Sequence, residues 1–149
     1  MLPGGLIPIL IMLPNLLWML FPPRGQPEGS VGSTGRLHRL MEILEWVGRI
    51  AALVIPFFYR IEAQSPRQVV ALVVAALALL FYYAGWARYF LRGRRYALLF
   101  DRLLGVPIPL AISPIVCFLA ASVLFGAWYL ALATVILGVG HVWITLQES

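Results

Sequence analysis

From Leu103 to Gln147 the chain carries no charged residue. As a single helix this stretch would run about 65 Å, roughly twice the ~30 Å of hydrocarbon that one membrane span crosses, so it has to fold back on itself. Phe125-Gly126-Ala127 is the natural place for the reversal. Gly adopts the backbone angles of a tight turn without steric cost, and Trp128 with Tyr129 just beyond it suits a boundary between lipid and water. Two apolar helices in a hairpin follow from this feature alone.

Three more apolar runs lie upstream. Leu2 to Phe21 has no charge, Leu40 to Tyr59 is interrupted by Glu42, Glu45 and Arg49, and Gln68 to Leu91 only by Arg88. Hydrophobic residues make up 62% of the 149 and charged residues 11%, where an average soluble domain has about 25% charged. The mean hydropathy is +0.91. A soluble fold of this size cannot hide so much apolar surface, which excludes soluble enzymes, nucleic-acid-binding domains and disordered tails. The expectation is an all-α, polytopic transmembrane helix bundle forming one domain over residues 1–149, with five spans at about 2–21, 40–59, 68–91, 103–125 and 127–146. No internal repeat and no shift in composition suggests a second domain.

The formal charge of +5 comes from basic residues that are all Arg, and most of these sit in the links between apolar runs. With five spans, Arg24, Arg36, Arg39, Arg88, Arg92, Arg94, Arg95 and Arg102 fall on one side, and Arg60 and Arg67 on the other. Basic residues in short loops stay in the cytoplasm, so the N-terminus is expected outside and the C-terminus inside, with residues 22–39 as a cytoplasmic loop. That loop contains PPRGQPEGSVGSTG, an irregular composition in which Ser33 or Thr34 could cap the following helix. The first apolar run lacks a preceding basic segment and a small-residue cleavage pattern, so it reads as a retained span. Arg92, Arg94 and Arg95 suit anionic lipid headgroups, not nucleic acid. The single Cys117 cannot form an intrachain disulfide and rules out a cysteine-pair relay.

An ionisable side chain in a span costs at least about 2.5 kcal/mol at its centre, so each such group needs a partner or an aqueous cavity. At about 100° per residue, His38, Glu42, Glu45 and Arg49 form one stripe within roughly a 60° arc, with Arg49 about 10 Å deeper than Glu42. Ala127, Ala131, Thr134, Gly138, His141 and Thr145 form a second stripe, which should face the bundle and bring His141 with it. The second span starts, and the fifth ends, on the cytoplasmic side. The two stripes therefore meet at similar depth, joined in that half by Asn15 and by Tyr82, Trp86, Arg88 and Tyr89. Tyr82, Trp86 and Tyr89 read as an interfacial aromatic belt. Pro14 frees a carbonyl one turn back and bends the first helix, and Asn15 suits an interhelical hydrogen bond. Pro107, Pro109, Ser113 and Pro114 shape the start of the fourth span.

Two carboxylates against Arg49 leave one uncompensated negative charge. The stripe is thus either an ion-pair cluster that fixes helix register or a proton-linked site. Glu42, Glu45 and His141, with His38, could in principle ligate a metal. There is no His pair at helical spacing and no Glu-x-x-His, so neither a metal nor another cofactor is expected.

Leu13-Pro14-Asn15, Glu42-Ile43-Leu44-Glu45-Trp46-Val47-Gly48-Arg49 and Gly140-His141 resemble a group of small, functionally uncharacterised bacterial multi-span membrane proteins. The resemblance implies a multi-pass protein of the bacterial cytoplasmic membrane and carries no activity with it. The leading expectation is a proton-linked permease or carrier whose substrate- or proton-binding residues are Asn15, Glu42, Glu45, Arg49, Tyr82, Arg88 and His141. Two alternatives stand beside it. One is an enzyme acting on a lipid or prenyl-type substrate, with Glu42 or Glu45 as acid/base and His141 as partner. The other is an accessory subunit of a larger membrane complex. A chain this small also suits a homo-oligomer.

Overall fold

The computed structural model describes residues 2–25 and 35–148. Over these residues the chain is all-helical apart from one short strand pair. Helices α1 (Leu6–Leu20), α2 (Arg36–Val54), α3 (Pro66–Leu91), α4 (Pro109–Phe125) and α5 (Trp128–Glu148) follow one another, with strands β1 (Leu2–Pro3) and β2 (Arg60–Ile61) outside them. α3 and the stretch Trp128–Gln147 of α5 are long and apolar enough to cross a membrane. α1 and α4 are apolar but shorter, at 15 and 17 residues, and α2 carries Arg36, Arg39, Glu42, Glu45 and Arg49.

Local chemistry sets the helix boundaries. α3 opens with a capping box, in which the Ser65 hydroxyl accepts from the Gln68 amide while the Gln68 side chain accepts from the Ser65 amide, and Pro66 occupies the first helical position. α4 ends on Gly126 at φ +64°, the left-handed conformation that lets the chain reverse into α5 where the sequence places the turn. Other boundaries differ from the apolar runs. Residues 2–5 are not helical: β1 pairs antiparallel with β2, with Leu2 opposite Ile61, and the Gly4 amide donates to the Tyr59 carbonyl at 2.8 Å. A Cβ on Gly4 would stand 2.4 Å from the Pro56 carbonyl oxygen, so only glycine allows this approach. α4 starts six residues later than the apolar run, because Gly105 takes a positive φ and Pro107 and Pro109 break up the stretch before it. α2 starts four residues earlier than expected, inside the presumed loop, and gives way to a 3-10 turn over Ile55–Phe58 at Pro56. Gly35 holds its N-cap position without a side-chain bond, and Ser33 and Thr34, the expected caps, lie outside the described residues.

α4 forms the centre of the bundle. It packs along α3 on one side and α5 on the other, and α2 packs along the outer side of α5. Residues on several faces of α4 are buried, among them Ala111, Cys117, Phe118, Ala121 and Leu124. α2 and α5 cross at glycines. A Cβ on Gly48 would lie 2.4 Å from the Leu137 nitrogen, and one on Gly140 would lie 2.6 Å from the Met41 carbonyl oxygen, so the two backbones touch. α1 makes few contacts along its body and is fastened at its ends. Its start is held by the strand pair, and beyond its end the Arg24 amide donates to the Arg94 carbonyl while the Tyr96 amide donates to the Arg24 carbonyl, at 2.8 and 3.1 Å. Tyr82, Trp86 and Tyr89 are buried in the core, which corrects the expected interfacial belt. Their rings pack edge to face, and a belt residue would instead be exposed.

Candidate functional site

The close α2–α5 crossing brings Glu45 to His141. Without a Cβ on Gly140 the Glu45 backbone comes into contact with α5, and the Glu45 Oε1 reaches the His141 Nδ1 at 2.7 Å. The same oxygen accepts from the Arg49 guanidinium one turn along α2. The Glu45 side chain is only 12% exposed, so this carboxylate is inside the bundle and partnered on two sides. A carboxylate paired with arginine only accepts, so the His141 Nδ1 carries the hydrogen and Nε2 is left as the nitrogen that can take a proton. A hydrogen bond from the Thr145 hydroxyl to the His141 carbonyl at 2.7 Å ties the same turn of α5.

Arg49 and His141 line a central cavity of about 280 Å³ to which all five helices contribute: Ile11, Asn15 and Trp18 from α1, Leu53 from α2, Tyr82 from α3, Leu110 and Phe118 from α4, and Leu137 from α5. Glu45 stands behind Arg49 and His141, off the cavity wall. On the α1 side the Asn15 Nδ2 donates to the Tyr82 hydroxyl at 2.8 Å and to the Ile11 carbonyl at 3.0 Å, and the Tyr82 hydroxyl donates to the same carbonyl at 3.1 Å. Asn15, Tyr82, Arg49 and His141 are therefore brought to one cavity, in the half of the molecule that the sequence singles out. A larger hollow of about 620 Å³ between α3 and α4 is aliphatic apart from Arg67 at its edge and offers no converging set of polar groups.

Two expected members are elsewhere. Glu42 is 53% exposed and pairs with the His38 Nε2 at 3.3 Å nearer the start of α2, while the His38 ring packs on Trp143 at 5.7 Å. The second carboxylate thus stands apart at the exposed end of the stripe, and the inner site is a Glu45–Arg49 pair with His141 beside it. Helical spacing puts Glu42 on the same face as Glu45 but does not say how far each penetrates. Arg88 serves the link after α3, where its guanidinium donates to the carbonyls of Leu98, Asp101 and Arg102 at 3.3, 2.9 and 2.8 Å. Among the described residues, no three His, Cys, Asp or Glu side chains converge as a metal-ligand group.

Trp18 was missed in the sequence. Its indole N–H is buried without a hydrogen-bond partner among the described residues, and its ring lines the cavity. The signal was available, because Trp18 lies one turn beyond Asn15 on the buried face that runs through Ile7, Ile11 and Pro14. No family model, curated protein or solved structure matches the chain.

Proposed function

We propose that the chain is a five-span bundle of the bacterial cytoplasmic membrane and works as a proton-linked carrier, with Glu45, Arg49 and His141 as its charged site. The carrying observation is the inside-out build of α2. Its Glu45 side chain is largely covered, at 12% exposed, and paired inward, while Leu40, Ile43, Val47 and Ile50 each leave half or more of their surface exposed. In water this arrangement would be unfavourable twice over; in lipid it is the expected one. α1, α3 and α5 also turn large aliphatic residues outward, among them Leu13, Leu16, Val73, Leu77, Val135 and Val139.

Five crossings fit the way the links gather. The strand pair joins the start of α1 to the α2–α3 link, and Tyr59 of that link stacks on Phe125 at the α4–α5 turn. The opposite end holds the Arg24–Arg94 contact and the Arg88-capped link. That end carries most of the arginines and is read as cytoplasmic, with Arg92 and Arg95 exposed to anionic headgroups. The shorter α1 and α4 are met by local thinning of the bilayer.

In this reading His141 takes and releases the coupled proton, Arg49 faces the solute, and Glu45 holds both in place. The test is reconstitution in vesicles carrying an internal pH dye. A panel of small solutes is applied in turn, and the parent protein should move protons with at least one of them, whereas His141→Gln should not. A parent that moves no protons with any solute would leave the charged site as a structural pin.

A further inference from the structure

We infer that the cavity binds a small amphiphilic monocarboxylate and that His141 takes up one proton, at Nε2, for each anion bound. The inference rests on the carrier reading and supplies its substrate class and coupling ratio.

The lining offers one charged donor group, Arg49, and two acceptors, the Asn15 side-chain carbonyl and the His141 Nε2. The Arg49 guanidinium has five N–H groups in a planar fork that suits a carboxylate, and the Glu45 bond engages only Nη2. The Trp18 indole N–H has no partner among the described residues. The Asn15 amide hydrogens are spent on Ile11 and Tyr82, and the Tyr82 hydroxyl is spent on Ile11, so these two shape the wall more than they recruit. Among the described residues no carboxylate lines the cavity, and its other walls are apolar, with Ile11, Met12, Leu53, Leu110, Phe118 and Leu137 among them. A cation would meet the Arg49 guanidinium on the wall with its counter-charge, Glu45, set behind it, and a fully polar solute would lose its water against these apolar walls. An anionic head on Arg49 with an aliphatic tail along the remainder satisfies both ends. The volume of about 280 Å³ lies just below the ~300 Å³ lower bound for drug-sized pockets, which limits the occupant to a short chain or a single ring.

Charge balance supplies the proton. Glu45 and Arg49 cancel, so with His141 uncharged an incoming carboxylate would leave one unpaired negative charge in a water-poor site. A proton from solution on the His141 Nε2 restores neutrality, and it leaves when the anion leaves. The groups facing His141 leave no better acceptor. From α2 come Glu45 and Arg49, already paired, with His38 and Glu42 paired to each other further toward the end. From α3 comes the Tyr82 hydroxyl. α1 brings the uncharged Asn15, and α4 brings Leu110, Pro114 and Ile115.

The test measures binding to the purified full-length protein in lipid nanodiscs. The probes are straight-chain acids from butanoate to octanoate, each compared with its uncharged amide and followed by tryptophan fluorescence. At least one acid should bind tenfold or more tighter than its amide. Between about pH 6.5 and 8.5, where the probe acids stay ionised, its affinity should fall with rising pH, by up to tenfold per unit for one proton taken up with each anion. His141→Gln should bind with an affinity independent of pH over that range, and Arg49→Gln should lose tenfold or more. Equal binding of acid and amide by the parent, or no binding of any acid, overturns the ligand class without reference to any variant. A pH dependence that survives in His141→Gln overturns the proton assignment. Acid-selective binding with no proton movement in vesicles would sink the carrier reading and leave the ligand class standing. Proton movement coupled only to uncharged solutes would do the reverse.

Discussion

Pro14 has no amide hydrogen, so the Leu10 carbonyl one turn back loses its helical donor, and the Tyr83 hydroxyl of α3 supplies one at 2.7 Å. In a bilayer no water would stand in for it. Tyr83→Phe should therefore cost about 1–3 kcal/mol, and adding Pro14→Ala, which restores the helical donor, should recover much of that loss. Denaturation of the four proteins in detergent measures both effects. The Glu45–Arg49 pair gives a second residue-scale prediction. Glu45→Gln or Arg49→Gln alone should destabilise by several kcal/mol, because each leaves a charge without its partner, and the double variant should cost clearly less than the sum. Additive losses would mean the side chains do not act together. Both features were partly legible in the sequence, since Pro14 announces a free carbonyl and the Glu45 to Arg49 spacing announces a pair. What filled the carbonyl was not legible, because a contact between residues 10 and 83 depends on which helices are neighbours. The assignment of Glu42 to the inner site failed for a related reason. Angular position around a helix is readable from spacing, but depth and pairing depend on the helix packed opposite.

At the scale of elements, the α2–α5 crossing is specified by two glycines that touch the opposing backbone. Gly48→Ala and Gly140→Ala should each force the helices apart and cost about 1–3 kcal/mol, and Gly140→Ala should also lengthen the Glu45–His141 contact. Gly35→Ala, where an added Cβ meets nothing within 4 Å, should stay within about 0.5 kcal/mol. Thermal melts of the three variants check this, and equal losses at all three sites would refute a close crossing. The small-residue stripe read on α5 pointed to intimate packing, but the residues in backbone contact, Gly140 and the Ala133–Leu137 turn, lie beside that stripe. Apolar runs record which residues avoid water, whereas helix ends record where the backbone finds its hydrogen bonds. That is why Leu2 to Gly5 and Leu103 to Ile108 are apolar without being helical.

For the molecule as a whole, the arginines divide unequally between the two ends, and the bundle shows lipid-compatible side chains outward. Reporter fusions near Gln64 and after the C-terminus should report opposite sides, outside and cytoplasm. Matching sides would remove the five-crossing topology. The hairpin of α4 and α5 was the most legible part of the fold, because a charge-free run of that length leaves no other solution in lipid. The central cavity was not legible, since its lining is drawn from all five helices and depends on which of them are neighbours. α1 is clasped at both ends, by the strand pair and by the Arg24 contacts, and its middle is tied to α3 through Leu10, Ile11 and Asn15. A stave pegged at both ends and again at midspan keeps its line, so α1 can wall the cavity with few side chains packed against it, and the peg at midspan is the tyrosine pair of α3.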